Sequence, residues 1–403
     1  MALTLTTADA ALKEFYLPAA REQLNNEMMM LTQIQKNSKD VEGRRAVLSL
    51  HVTRNSGVGA RAEGGTLPTA GNQGYIEERV TLKNNYGRIQ LNGQVIRAMK
   101  SDAGSFVRAL DSETKGLMTD LKRDVNRQCY NNVEGTIAQC GTTGGSATVQ
   151  LAADTPESVM RFFEVGMKVD IGTLASPRAD VDGEAIISVD RVNKTITVTS
   201  SITTNSSDYV TRAGSKSAAG SSAELLGLQA IVTDSGTLYN VNPTNYPVWK
   251  STVSSNSGTN RAATDNLFAN VLDDVYLECG KSPNFIVTSH GVARNYAAQL
   301  QSQKRFSNTT ELKGGFTALS VSAGSVTLPL VAERDCPDST AFLLNLDHLF
   351  EHRMSDWEWM DLDGSVLNRV ANADAYEATM FIYHELTTDQ RNTHARIDDL
   401  TES

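Results

Sequence analysis

The stretch at residues 55–74 constrains the fold more than any other, because it holds Gly57, Gly59, Gly64, Gly65, Gly71 and Gly74 together with Pro68. Its flanks alternate as strands do. In residues 45–53, Leu48, Leu50 and Val52 interleave with Val47, Ser49 and His51, and residues 75–82 resume a strand-like pattern. Two strands separated by about 20 glycine-rich residues make an extended hairpin, and so long a structureless tip is uncommon inside a compact domain unless it reaches out to something. Neither G-x-G-x-x-G nor G-x-x-x-x-G-K-[ST] occurs, so the glycines do not read as a phosphate cradle.

Before the hairpin, Leu12, Phe15, Tyr16, Ala19, Leu24, Met28, Leu31 and Ile34 recur at helical spacing over residues 7–34. Pro18 should divide this stripe into two helices, since an interior proline removes a hydrogen bond and clashes with the preceding turn. The segment reads as an arm; a helix packed on its own domain is the alternative. After the hairpin, residues 86–99 read as a strand with Ile89, Leu91, Val95 and Ile96, interrupted at Asn92-Gly93. Ser101-Asp102 then offers an N-cap for the strongest helix of the chain. There Phe106, Leu110, Leu117, Leu121 and Val125 repeat up to about Tyr130, Asp111 is placed to pair with Lys115, and the spine is about 40 Å long at 1.5 Å per residue.

From 135 to about 214 the pattern changes to short β runs, at 147–151, 167–171 and 185–189, the last turning through 191–194 into 195–199. These predict a small β-barrel or sandwich inserted after the spine, followed by a Ser/Ala/Gly linker at 214–223. The rest predicts an α/β layer. Thr264 caps a helix carrying Leu267, Phe268, Val271, Leu272, Val275 and Tyr276; residues 285–288 form a buried strand; Val292, Tyr296 and Leu300 mark a second helix. Further strand runs stand at 328–332, 341–346 and 375–386.

A chain of 403 residues exceeds what one core usually organises, so two or three lobes are expected. Its formal charge of -10, with no Lys/Arg cluster, argues against a dedicated nucleic-acid binder, and an acidic balance suits a container wall that lets DNA slide past as well as it suits any cytosolic protein, so charge alone does not choose. Cys129, Cys140, Cys279 and Cys336 include no C-x-x-C pair, which argues against a zinc knuckle and a disulfide framework. The first residues lack a basic, then apolar, leader pattern, and no apolar run approaches the ~20 residues of a membrane span, so synthesis in the cytosol is expected.

One spacing looks chemical. His348-Leu349-Phe350-Glu351-His352 satisfies H-x-x-E-H, in which two His bind zinc and Glu activates water. Such a site needs a helix and a third ligand, whereas this segment follows an apolar strand and runs into Trp357-Glu358-Trp359; the competing reading is a strand end and turn with solvated His and Glu. The acids Asp356, Glu358, Asp361 and Asp363 before Gly364 hint at a Ca²⁺ loop, but EF-hand spacing is not met. Ser289-His290 lacks an orienting carboxylate, and no G-x-S-x-G elbow occurs. No catalytic, cofactor-binding or metal residue is assigned.

The order of parts, namely arm, glycine-rich hairpin, strand, spine helix, inserted β domain, α/β lobe and last strand, resembles the major capsid proteins of tailed bacteriophages with the Hong Kong 97-type fold. Glu224-Leu225-Leu226-Gly227-Leu228, Gly236-Thr237-Leu238-Tyr239-Asn240-Val241, Tyr246-Pro247-Val248-Trp249-Lys250 and Gly314-Gly315-Phe316 also look like that family. The resemblance implies an α+β fold made of an N-terminal arm (1–43), an E-loop hairpin (44–85), the P-domain strand and spine helix (86–134), an inserted all-β domain (135–213), an A-domain (214–373) and a return to the P-domain (374–403). It implies a structural subunit, without enzymatic activity, that self-assembles into hexamers and pentamers of an icosahedral head. That head encloses double-stranded DNA without sequence-specific binding. Implied partners are further copies of the chain, a scaffolding protein, a portal and a decoration protein, with no membrane; the implied location is the virion capsid, after synthesis in the host bacterial cytoplasm. Phe15 and Tyr16 on the arm and Arg54, Arg61 and Glu63 at the hairpin tip are the interface candidates. The alternatives are an encapsulin-like compartment shell protein and, from a different class, a zinc-dependent hydrolase at His348, Glu351 and His352.

One departure from the family has a direct consequence. Some shells of this type weld neighbours through isopeptide bonds between an E-loop Lys and an Asn, but no Lys lies between Lys39 and Lys83 here. Boiled mature particles should therefore run on a denaturing gel as one monomer band; a ladder of covalent oligomers would contradict this.

Overall fold

The structure is a computed structural model that describes residues 17–26, 28–94, 103–177, 181–218, 221–302, 309–311, 317–323, 326–361 and 364–402. Its centre is the strand Ala375–Thr388, to which Lys83–Asn92 runs antiparallel in unbroken register from Asn92↔Ala375 to Lys83↔His384. Leu349–Arg353, Glu358–Trp359 and Asn368–Arg369 pair with the same strand, and Gln35–Asn37 adds in parallel beside Leu349–Arg353 to complete a six-stranded sheet.

The long helix Ala103–Gln128 lies on this sheet, its 26 residues spanning about 39 Å at 1.5 Å per residue. Thr114, Met118, Leu121 and Val125 are buried at intervals of three and four, so one stripe faces the sheet. Contact is close at Gly87. A Cβ built there would come within 2.7 Å of the Leu117 and Leu121 methyls, so only hydrogen fits between helix and strand. The preceding strand stops at Asn92, where the sequence places its interruption, and residues 93–94 are helical; the rest of the expected run to 99 with Val95 and Ile96, the cap Ser101-Asp102 and the side chains of Phe106, Leu110 and Asp111 lie outside the described residues.

The leading segment differs from the expected free arm. Helix Leu17–Asn26 has Pro18 as its second residue, where a missing N–H costs nothing, so the proline opens the helix. Met28, Met29, Met30, Leu31 and Ile34 are then buried in the main core with Leu121, Val125 and Met380. Of the apolar stripe, Met28, Leu31 and Ile34 are thus covered by the chain's own core, while Ala19 is exposed and Leu12 and the Leu24 side chain lie outside the described residues. Phe15 and Tyr16 lie outside the described residues.

Arg45–Thr53 and Gly74–Thr81 form the antiparallel hairpin, with Ala46, Leu50 and Val80 turned into the main core. Beyond the long helix, seven strands between Thr136 and Arg212 make a separate sheet whose own core includes Val149, Ile171, Ile196 and Val210. Residues 214–223 are not a loose linker: Lys216–Ala218 pairs with Ser221–Ser222, and the buried Lys216 makes an ion pair with Glu134. Local composition hid that long-range partner.

A second seven-stranded sheet takes the order Thr252–Ser254, Ala395–Ile397, Ala341–Leu344, Phe285–Thr288, Val326–Ala332, Thr317–Ala323 and Thr309–Glu311. Helices Asp265–Cys279 and His290–Ser302 join its strands, the first capped by the Thr264 hydroxyl, which accepts from the Leu267 amide at 3.2 Å. The expected lobes are thereby cut differently. Strands at 349–369 belong to the first sheet and not to the lobe at 214–373, while the final segment is shared, Ala375–Thr388 with the first sheet and Ala395–Ile397 with the second. Cys129, Cys140 and Cys336 are buried and form no disulfide among the described residues, and no helix among those residues is long and apolar enough to cross a membrane.

Candidate interface and buried polar junction

The hairpin tip offers side chains without a core of its own. Arg54, Arg61 and Glu63 are exposed, as are Val58 at 84% and Leu67 at 81%. Its path is held by main-chain and local bonds: the Gly57 amide donates to Asn55 Oδ1 at 2.7 Å, and Arg61 donates to the carbonyls of Ala60 and Thr66 at 2.9 and 3.0 Å. Arg54, Arg61 and Glu63 thus share one projecting loop, as the sequence places them.

At the root, Glu78 shares the inward face of its strand with Ile76 and Val80. It is fully buried, and neither carboxylate oxygen has a hydrogen-bonding partner among the described residues. Burial, with Asp389 nearby adding to it, pushes this carboxyl well above the usual range. The next residue, Arg79, donates its amide to the Tyr239 carbonyl at 3.2 Å, which ties the root to the turn at Tyr239-Asn240. Sequence reasoning passed over Glu78, although an acid between Ile76 and Val80 on an alternating strand was a readable signal.

The C-terminal turn of the long helix ends in a polar junction that joins it to the first sheet, to Arg212 of the inserted sheet and to Glu224. Arg127 donates to Asp124 at 3.0 Å and Glu224 at 2.6 Å, and all three carry little exposure. Burial raises Asp124 but the charges of Arg127 and Arg212 outweigh it and hold its carboxyl low. Gln128 donates to Asp124 at 2.8 Å and to Asn85 Oδ1 at 3.0 Å. Since Asn85 accepts through its oxygen, its amide nitrogen must donate to His384 Nε2 at 2.9 Å. The His384 proton therefore sits on Nδ1 and points to Glu351 at 2.7 Å. Burial pushes Glu351 up, but the bond from His384 together with the positive charges around it, Arg353 and Lys36 among them, outweighs this and leaves the carboxyl below its ordinary value.

These bonds overturn the solvated reading of the H-x-x-E-H segment and the zinc alternative together. Glu351 and His352 are buried on the strand Leu349–Arg353, where neighbours point to opposite faces. His352 meets Thr387 at 2.6 Å, whereas His348, in the short turn before the strand, meets Asp389 and Lys281 at 2.8 Å each. The three side chains diverge, and no group of three metal-ligating side chains converges among the described residues. Trp357 and Trp359 are buried beside the acidic run. Asp356 accepts from Arg353 and from the Trp357 amide, and Asp363 lies outside the described residues. Ser289 is likewise structural, its hydroxyl accepting from Val292 and donating to Glu402.

Glu385, beside His384, is buried with the amides of Leu226 and Leu386 donating to one oxygen; burial pushes its carboxyl up to about 8. The family-like stretches at 224–228, 236–241 and 246–250 all gather around this region, while 314–316 lies outside the described residues.

A family model described as SU10 major capsid protein matches residues 96–401 of the chain. Among solved structures, the capsid asymmetric unit of cyanophage A-1(L) is similar at a TM-score of 0.56 and 13% identity, covering 93% of both chains. The holo-SrpI encapsulin complex from Synechococcus elongatus PCC 7942 gives a TM-score of 0.47 at 10% identity, covering 93% of this chain and 87% of that one. No curated protein matches.

Proposed function

The chain belongs to the SU10 major capsid protein family and is a capsid shell subunit of a bacteriophage virion, and on that premise we propose that it builds the hexamers and pentamers of an icosahedral head around double-stranded DNA. The observation that carries this is the family match over 96–401, which includes the long helix, the inserted sheet and the mixed sheet. The Hong Kong 97-type fold extends the likeness to the hairpin, which precedes the matched residues. In this reading residues 44–85 act as the E-loop, Arg54, Arg61 and Glu63 contact a neighbouring copy, and Phe15 and Tyr16 serve an arm at 1–43. The polar junction fixes the long helix against both sheets so that the hairpin leaves the body at a set angle. Scaffolding, portal and decoration proteins are the further partners, synthesis takes place in the host cytoplasm, and the role is structural, not enzymatic.

In a closed symmetric shell each subunit gives and receives the same contacts, so many modest interfaces add. Electron microscopy of the purified full-length protein should show shells, tubes or capsomers. A protein that stays monomeric at every concentration and in the presence of crowding agents would count against the reading.

A further inference from the structure

We propose that the hairpin root is a latch operated by one proton on Glu78: with the carboxyl neutral the root lies on the body, and loss of that proton releases it. This goes beyond the shell reading and rests on it only for the consequence, a hairpin that is held or freed during assembly.

The geometry leaves Glu78 no way to ionise in place. It is fully buried and has no donor among the described residues. Leu48 is its cross-strand partner, the charge of Asp389 just past the central strand acts on it, and Tyr239 is near enough to feel both Glu78 and Glu385. Of the basic groups around them, Arg391 is committed to main-chain carbonyls, Lys83 is bonded to the Ser222 carbonyl, and His348 is held by Asp389 and Lys281. An unpaired carboxylate in such a site is expelled towards water, and Glu78 reaches water only if its strand lifts. Lifting breaks the bond from the Arg79 amide to the Tyr239 carbonyl.

The turn on the other side of that bond is strained in the same sense. Tyr239 and Asn240 have φ of +49° and +69°, an uncommon state for an aromatic residue. The turn is closed by Leu238 and Val241, whose amides each donate to the other's carbonyl at 3.1 and 2.8 Å, and two further contacts dock it on the body: the Tyr239 hydroxyl donates to the Leu386 carbonyl, and the Tyr239 carbonyl accepts from Arg79. Release of the root removes the second and leaves the turn docked through the Tyr239 hydroxyl alone. The sign follows. An acid whose proton is retained by the docked state stabilises docking at low pH and loses that stabilisation as pH rises through its docked value.

The test is hydrogen exchange on the full-length protein from about pH 6 to about pH 10, corrected for intrinsic rates and read at Arg79 and residues 46–50. Wild type should lose protection there by about tenfold or more as pH rises, while 285–288 stays protected. Glu78→Gln should keep the root protected throughout, as should Glu78→Leu if the Gln variant folds poorly, and Glu385→Gln should leave the loss in place. A flat wild-type profile, an unchanged loss in the neutral variants, or a loss abolished by Glu385→Gln would each overturn the latch. Particle formation is scored separately by microscopy, so a flat profile with normal particles sinks the latch alone, and a titrating root without particles sinks the shell reading alone.

Discussion

Full-length protein carrying Arg391→Leu should unfold at a clearly lower urea concentration than wild type, with a loss of about 3–5 kcal/mol. Arg391 is 1% exposed, and all five of its acceptors are main-chain carbonyls: Ile231 at 2.7 Å, Ala230 at 3.2 Å, and Ser235, Gly236 and Trp249 at 3.4 Å each. Burial lowers its basicity to about 10, and the carbonyl dipoles stand in for a counter-ion. Leucine would leave these oxygens without donors. Each orphaned buried carbonyl costs about 1–3 kcal/mol, the two shortest bonds carry most of that, and apolar packing of the leucine recovers part. Arg391→Lys should lose most of the same stability, because three donors on one nitrogen cannot span carbonyls arriving from separate turns. Trp249 is buried next to the site, so its fluorescence reports the loosening directly. An unchanged midpoint for Arg391→Leu would show that the loop at 230–249 is held by something else.

Arg391 also illustrates what the sequence reveals and what it hides. Elements that announce themselves by their own spacing were legible to the residue: Arg45–Thr53 and Phe285–Thr288 as strands, Thr264 as a cap, and the stripe through Leu121 and Val125. The failures all depend on partners distant in the chain. An amphipathic stripe at 28–34 is the same whether a neighbour or the chain's own core covers it, and here the own core does. A Ser/Ala/Gly run reads as linker until Glu134 is placed beside Lys216. The junction links Asn85 to His384 and Arg127 to Glu224, and nothing local to any of the four marks it as buried. H-x-x-E-H misleads for the same reason: the pattern assumes a helix, and pairing with Thr388 through His384 makes it a strand.

The burial of residues 28–34 bears on the container reading. A projecting segment completed by neighbours was expected twice, at the arm and at the hairpin. Met28–Leu31 and Ile34 sit in the chain's own core, whereas the hairpin has a root in the core and a tip without one. Family membership now carries the reading, and the tip is where contact between copies remains to be tested.

Replacing residues 56–72 with a short Asn-Gly turn should abolish particles while leaving the subunit folded. The tip contributes nothing to the main core, since Val58 and Leu67 are exposed and its internal bonds are local. Shortening the loop from about 20 residues to about four lowers the closure cost by about 1.4 kcal/mol, so thermal stability should hold or rise slightly. Assembly should respond in the opposite direction, because in a symmetric shell every subunit loses one contact it gives and one it receives. If the two together are worth only about 3 kcal/mol, the concentration needed for assembly rises by about a hundredfold. Alanine at Arg54, Arg61 and Glu63 together should give a smaller shift in the same direction, since exposed charges contribute less than a whole loop. Light scattering across a concentration series reads both. Particles of normal size at the wild-type concentration from the shortened chain would mean that neighbouring copies hold each other elsewhere, with the inserted sheet, which has its own core and an exposed Val165, Ile187 and Val192, the next surface to cut.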